Sequence, residues 1–294
     1  MTTKTVFATL MGRPNVGKST LLNQIIGEKV SIVSPKPQTT RTRITGIKTV
    51  GELQYVFMDM PGFISGKSGL DQRMEQTVEV MVGDAEIALF VAEPKKPVEK
   101  ERSMLEKLRK SGIPVILLLN KIDTLPKENL LAVMAAWGQS YPFDAIIPIS
   151  AKKGDGVEIL LEELEKYAVE SPFFYEEDQL SDQTEATFAC EVVREKMLYL
   201  LGDEIPHGVA LAVDSFEEEE DLISIHLVIY CKKDSHKGII IGKGGQKLKE
   251  ISTKAREELE RHFGQKVFLQ CFIKVKRDWE NNSALLDSLG YSVE

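Results

Sequence analysis

The chain has 294 residues, 43% hydrophobic and 28% charged, a balance that excludes wholesale disorder, collagen-like and coiled-coil classes. At roughly 150 residues per domain this length suggests two domains, each able to bury its own core. The net charge is −8, yet residues 232–277 hold 13 Lys+Arg against 5 Asp+Glu, so an acidic chain carries one basic segment that can meet phosphate locally.

From Thr5 to Met11 a run of β formers leads into a glycine turn, and Lys18 to Ile26 continues with helical spacing. The turn, Gly12-Arg13-Pro14-Asn15-Val16-Gly17-Lys18-Ser19, fits G-x-x-x-x-G-K-[ST] in the strand-to-helix context that pattern requires. Its glycines let backbone N–H groups curl around phosphate oxygens at a positive helix end. Lys18 reaches the β and γ phosphates, Ser19 offers a hydroxyl to Mg²⁺, and Thr20 closes the nucleotide-binding run.

A hairpin follows, Ile44 to Val50 and Leu53 to Met58 across Gly51-Glu52. It ends on Asp59-Met60-Pro61-Gly62, which delivers a carboxylate to the same sheet edge as the phosphate loop, where it can hold the metal through water. Gly62 would give an N–H to a γ phosphate and lose that contact when the phosphate leaves, which makes the next loop a switch.

Three short buried strands come next, Ile87 to Ala92, Val115 to Leu119 and Ile146 to Ile149. Helical patterns at Leu70 to Val82, Lys100 to Ser111, Lys127 to Trp137 and Val157 to Val169 separate them. The first ~170 residues therefore predict an α/β domain with a mostly parallel sheet and helices on both faces. Asn120-Lys121-Ile122-Asp123 follows the most apolar strand. Asp123 can accept hydrogen bonds from the N1–H and 2-amino group of guanine; adenine has neither donor, which argues for GTP over ATP. Ser150-Ala151-Lys152 after the last strand would set a backbone N–H near guanine O6.

Proline, aromatics and acids break the alternation at 171–178, so we place a GTPase domain at 1–172, a linker at 173–183 and a second domain at 184–294. The second domain predicts a helix (Thr184 to Leu201), strands (Val209 to Phe216, Leu222 to Cys231), a basic glycine loop, a helix (Gln246 to Phe263), a strand (Val267 to Val275) and a short helix (Asn282 to Leu289). Gly242-Lys243-Gly244-Gly245 matches the G-x-x-G loop of a KH domain. Its place in the α-β-β-loop-α-β order, on the basic segment, predicts an α+β RNA-binding KH fold of the second type. Lys237, Lys243, Lys247 and Lys249 would neutralise phosphates, and Lys274, Lys276 and Arg277 with Trp279 either suit unpaired RNA or form a solvated strand end with Trp279 packed on its own domain. Arg41 and Arg43 are read as solvated or as contacts to RNA or protein.

These motifs, with Gln38 to Arg41, Phe173 to Asp178, Arg194-Glu195-Lys196, Ile240 to Gly245 and Ser288 to Tyr291, resemble the Era family among the translation-factor-related GTPases over the whole chain. The resemblance implies GTP hydrolysis with Mg²⁺ held by Ser19, Asp59 and Thr40, the last joining only in the GTP state, with Thr39 the weaker candidate. It implies binding to the 3′ end of small-subunit ribosomal RNA and a role in small-subunit maturation. Related GTPases with an Asn in the phosphate loop use it to hold K⁺, which makes Asn15 a candidate beside Lys18 and Thr40 in catalysis. Phe63 stands where Ras-like proteins have a water-orienting Gln, so slow intrinsic hydrolysis is expected.

The longest apolar run, Ile113 to Leu119, is far below the ~18 residues of a membrane span. Together with the absence of a signal-peptide pattern after Met1, it leads us to expect a cytoplasmic monomer that handles RNA and not DNA. Peripheral contact at the inner face of the cell membrane is left open. Cys190, Cys231 and Cys271 match neither a disulfide frame nor a zinc spacing and are expected reduced and mostly buried. The alternative is a signalling GTPase whose C-terminal domain docks a protein or the membrane surface.

Overall fold

The computed structural model describes residues 2–36, 39–60, 68–202, 205 and 208–291. In the first half β1 (Lys4–Met11), β2 (Ile44–Val50), β3 (Leu53–Asp59), β4 (Ile87–Ala92), β5 (Val115–Leu119) and β6 (Ala145–Pro148) form one sheet in the order β2-β3-β1-β4-β5-β6. All neighbours are parallel except β2 against β3. The reason is visible in the residues: β4 and β5 read IALFVA and VILLL and are buried throughout, as strands covered on both faces must be.

Helices α1 (Lys18–Ile26) and α5 (Val157–Leu164) cover one face through Leu21, Leu22, Ile25, Leu160 and Leu164. Helices α3 (Glu99–Ser111) and α4 (Lys127–Gly138) cover the other through Met104, Leu105, Leu108 and Trp137. The parallel strands thus end together, and Met11, Asp59, Ala92, Leu119 and Pro148 open on one edge, the usual place for a ligand.

The helix expected over Val157 to Val169 stops at Leu164; a 3-10 turn follows, and β7 (Val169–Glu170) pairs antiparallel with the start of β1. Ladder hydrogen bonds to β1 win over the helical pattern once Leu160 and Leu164 are buried. The segment after β7 is laid along the sheet: the Gln54 side chain accepts from Phe174 N and Tyr175 N, and Ile47 N donates to Leu180 O at 2.9 Å.

In the second half α6 (Glu185–Leu200) precedes a three-stranded sheet of β8 (Val209–Glu218), β9 (Leu222–Cys231) and β10 (Lys266–Val275), in the order β10-β9-β8 with β10 parallel to β9. Helix α8 (Gln246–Phe263) buries Ile251, Ala255 and Leu259 and half-buries Leu248, one apolar stripe, against α6 and the sheet. One element departs from expectation. The residues before the glycine loop form a helix, α7 (Asp234–Ile241), giving α-β-β-α-α-β, because Ile240 is buried in the core and outweighs Gly238 and Gly242.

The two halves pack directly. Leu70 and Met74 of α2 (Gly69–Gly83) meet Ala210, Trp279 and Leu286, the last on α9 (Ser283–Ser288). Trp279 is fully buried, with Nε1 donating to Gly208 O at 3.1 Å; of its two readings, packing against protein holds and RNA stacking does not. Among the described residues no helix is long and apolar enough to cross a membrane. Cys190 and Cys231 are buried, Cys271 is half-buried and all three are free thiols.

Candidate functional site

The loop between β1 and α1 borders a cleft of about 440 Å³ lined by Pro14, Asn15, Gly17, Lys18, Ser19 and Thr20, with Lys121, Thr39, Thr40 and Tyr199 completing it. Gly12 has φ +145°, and a Cβ there would run into Val91 O, so this position needs glycine. Lys18 is 7% exposed, and its Nζ lies 3.2 Å from Gly12 O and 3.3 Å from Arg13 O. Burial draws its ammonium below the ordinary lysine range, with the Asp59 charge opposing. Arg13 points to Glu101 at 3.5 Å and Val16 is buried, so what either offers to the cleft is its backbone.

Four oxygens converge at the metal end. Asp59 Oδ2 accepts from Ser19 Oγ at 2.7 Å and from Thr40 Oγ1 and Ser31 Oγ at 3.4 Å each, and Ser19 Oγ lies 3.1 Å from Thr40 Oγ1. Asp59 is fully buried and its other oxygen, Oδ1, has no hydrogen-bond partner among the described residues. Burial raises its carboxyl above the ordinary range despite Lys18 and the three hydroxyls. An orphaned carboxylate oxygen beside hydroxyls is a hard-oxygen donor set that fits Mg²⁺. Thr39 Oγ1 instead donates to Lys36 O at 2.7 Å, so geometry singles out Thr40. Pro61, Gly62 and Phe63 lie outside the described residues, as does Gln38.

At the base end Asn120 ties three loops: Nδ2 donates to Val16 O at 2.8 Å, and Oδ1 accepts from Lys121 N at 2.7 Å and Ala151 N at 2.9 Å. Lys121 Nζ bridges Asn15 O at 2.6 Å and Glu93 Oε1 at 2.7 Å, and its hydrogen bond, with that of Lys95, draws the Glu93 carboxyl down to about 2. Ser150 Oγ donates to Asp123 Oδ1 at 2.8 Å and lowers the exposed Asp123 carboxyl below its usual range. Asp123 is thus held as an ionised acceptor, the form guanine's N–H groups need. Because Ala151 N is already on Asn120, an O6 contact from this loop shares that donor or falls to exposed Lys152.

Residues 29–36 and 39–41 lie between this site and the C-terminal half. On one side Asn23 Oδ1 accepts from Val30 N and Ser31 N, and Asn15 Nδ2 donates to Pro35 O at 2.6 Å. On the other, Glu195 accepts from Lys29 Nζ at 2.8 Å and Val33 N at 2.9 Å. Lys36 Nζ donates to Leu201 O at 2.6 Å, Arg194 donates to Thr39 O, and Arg41 donates to Val209 O at 2.6 Å. Arg41 is 3% exposed, so it is not the solvated arginine expected; Arg43 pairs with Asp182 at 3.3 Å. The sequence pointed to Arg194-Glu195-Lys196 only through a resemblance and missed Tyr199.

In the C-terminal half Gly242 (φ +70°), Gly244 and Gly245 all have positive φ and turn the chain from α7 into the 18-residue α8, whose N-terminus can face phosphate. Lys243 and Lys249 are exposed, Lys237 is half-buried, and half-buried Lys247 pairs with Glu250 at 3.0 Å. Cys231 Sγ touches both Lys233 O and Lys274 O, which sets exposed Lys274, Lys276 and Arg277 beside the start of α7. The basic residues therefore border α7 along its ~12 Å length.

A family model described as 50S ribosome-binding GTPase matches residues 7–121 and a KH domain model matches 204–280. GTPase Era of Ruminiclostridium cellulolyticum is 45% identical over 293 residues, covering 99% of this chain and 98% of that one. The chain belongs to the Era family of GTPases. A solved structure of Era in complex with MgGDPNP and nucleotides 1506–1542 of 16S ribosomal RNA is 34% identical, covers 99% of each chain and superposes with a TM-score of 0.94. A variant of Aquifex aeolicus Era bound to GDP.AlF4- is 33% identical, also with a TM-score of 0.94, covering 98% of this chain and 99% of its own. As an Era GTPase the chain is a GTP-hydrolysing enzyme of two parts, a P-loop domain with a mostly parallel sheet and a KH domain.

Proposed function

We propose that this protein is a GTP-driven switch that binds the 3′ end of small-subunit ribosomal RNA through its KH loop and acts in maturation of that subunit. Residues 1–172 would bind and hydrolyse GTP, 173–183 would link, and 184–294 would hold RNA. The observation that carries the reading is the position of residues 29–36 and 39–41, hydrogen-bonded to the phosphate loop at Asn15 and to the KH domain at Glu195, Arg194 and Val209.

In this reading Ser19, Asp59 and Thr40 would hold Mg²⁺, which when bound would neutralise charge on the β and γ phosphates. Lys18 leaves the carbonyls of Gly12 and Arg13 for the phosphates, the loop amides and α1 N-terminus stabilise the charge that moves to the leaving oxygen, and Asp123 selects guanine. Loss of the γ phosphate removes what Thr40 and Gly62 would hold, and the change reaches the KH domain through residues 29–36 and 39–41. Asn15 would add a K⁺ beside the phosphates; hydrolysis should then be faster in K⁺ than in Na⁺, and equal rates would remove K⁺ from the account. A cytoplasmic monomer with no DNA target fits this role, and contact with the membrane face needs no part in it.

The test is affinity for a short RNA copying the 3′ end of the small-subunit rRNA, for the wild type and for a variant with Lys243→Asp and Gly244→Asp. Tight, salt-sensitive binding lost in the variant supports the reading. Wild-type protein that ignores this RNA would move the C-terminal domain to protein or membrane docking.

A further inference from the structure

We propose that Arg194 of the KH domain is a positioning residue for Thr40, so that the RNA-binding half completes the metal side of the nucleotide site within one chain. The inference rests on the assignment of Thr40 to that site. Arg194 is 1% exposed, and its guanidinium is held by Glu191, with Nε 2.8 Å from Oε1 and a second nitrogen on Oε2. That second nitrogen also donates to Thr39 O. One residue past Thr40, buried Arg41 donates to Val209 O.

The Thr39–Thr40 peptide is therefore tied to the KH domain through its carbonyl and Arg41 through its side chain, while Thr40 Oγ1 itself projects the other way, toward Ser19 and Asp59. A planar guanidinium that grips a carboxylate with two nitrogens can fix a carbonyl in place, which a lysine ammonium cannot do. Glu191 sets Arg194, Arg194 sets the Thr39–Thr40 peptide, and that peptide sets the hydroxyl. Partners one step behind a metal ligand typically account for 10–100-fold in affinity or activity.

The contact discriminates between nucleotides. Thr40 is needed only when a γ phosphate and its metal are present, so loosening it weakens the GTP-bound state and leaves the GDP-bound state alone. A contact that merely supported the fold would weaken both.

The experiment uses the full chain with Arg194→Gln and, separately, Glu191→Gln, which keeps the arginine but relaxes its grip. A fluorescent non-hydrolysable GTP analogue and the matching GDP are titrated across a Mg²⁺ series, and amide hydrogen exchange of residues 39–41 is followed in nucleotide-free protein. We expect R194Q to bind the analogue about ten-fold more weakly and to need more Mg²⁺ to do so, with GDP affinity within about two-fold. Exchange at 39–41 should be faster in both variants, and E191Q should show the same pattern more weakly. Unchanged analogue affinity and Mg²⁺ midpoint in a folded variant would overturn the proposal. Equal weakening of analogue and GDP together with a lower melting temperature would overturn it as well, by reducing Arg194 to a fold support. Neither titration contains RNA, so failure of the RNA reading shows in the RNA binding assay alone.

Discussion

Asp59 holds a carboxylate where a carboxylate is costly: fully buried, with burial outweighing the attraction of Lys18 and three hydroxyls. Its folded pKa lies above its unfolded value, so the folded state binds the extra proton and stability falls as pH rises from about 3.8 through the raised value. We predict that Asp59→Asn stabilises the nucleotide-free protein at neutral pH by on the order of 1 kcal/mol, a rise in Tm of roughly 2–4 °C. The same change should abolish Mg²⁺-dependent hydrolysis. Melting scans with a chelator present check the first part; a Tm that drops would mean the ionised carboxylate supports the fold. At the other end of the cleft Asp123 is exposed, ionised and aimed by Ser150. Asp123→Asn should weaken GDP and GTP by roughly 100-fold, two hydrogen bonds to a charged acceptor being lost, and an unchanged affinity in fluorescence titration would remove it from base recognition.

The elements that carry these residues were largely legible in the sequence, for local reasons. β4 and β5 are short apolar runs with clear ends, and the phosphate loop has a glycine, Gly12, at a backbone angle that others resist. The place of Asn120 and Asp123 at the sheet edge was legible because they follow β5 directly. Helix α7 was not, since Gly238 and Gly242 argue locally for a loop and only burial of Ile240 decides otherwise. Arg41 was misread because its partner, Val209 O, comes from the other half of the chain, and the burial of Trp279 was illegible because it is enclosed by Gly208, Ala210 and Leu286 of its own half together with Leu70 and Met74 of the other. The docking of α6 and α8 was illegible for the same reason: Lys29 meets Glu195 and Glu258, which lie 166 and 229 positions away. Although burial opposes it, Lys196 and Lys29 hold the Glu258 carboxyl below its ordinary 4.5. Its contribution is therefore present above pH about 4.5 and is lost as pH falls through the lowered folded value. Glu258→Gln should flatten that acid limb in the Tm–pH profile relative to wild type and leave the profile unchanged near pH 7; identical acid limbs would place the pair outside the stability of the docked state.

For the whole molecule, two sites share one segment. Under the proposed function the nucleotide biases residues 29–36 and 39–41 through Ser19, Asp59 and Asn15, and the KH domain, hydrogen-bonded to them at Arg194, Glu195 and Val209, biases them from the other side. If both bias the same two states, the coupling must be reciprocal: whatever factor GTP adds to RNA affinity, RNA adds to GTP affinity. The measurement that tests this most directly is the full binding cycle, RNA affinity with a non-hydrolysable GTP analogue, with GDP and with no nucleotide, and analogue affinity with and without RNA. We predict that RNA binds at least about five-fold more tightly with the analogue than with GDP, and that RNA raises the preference for the analogue over GDP by the same factor. RNA affinity that is equal in all three nucleotide states would contradict the account.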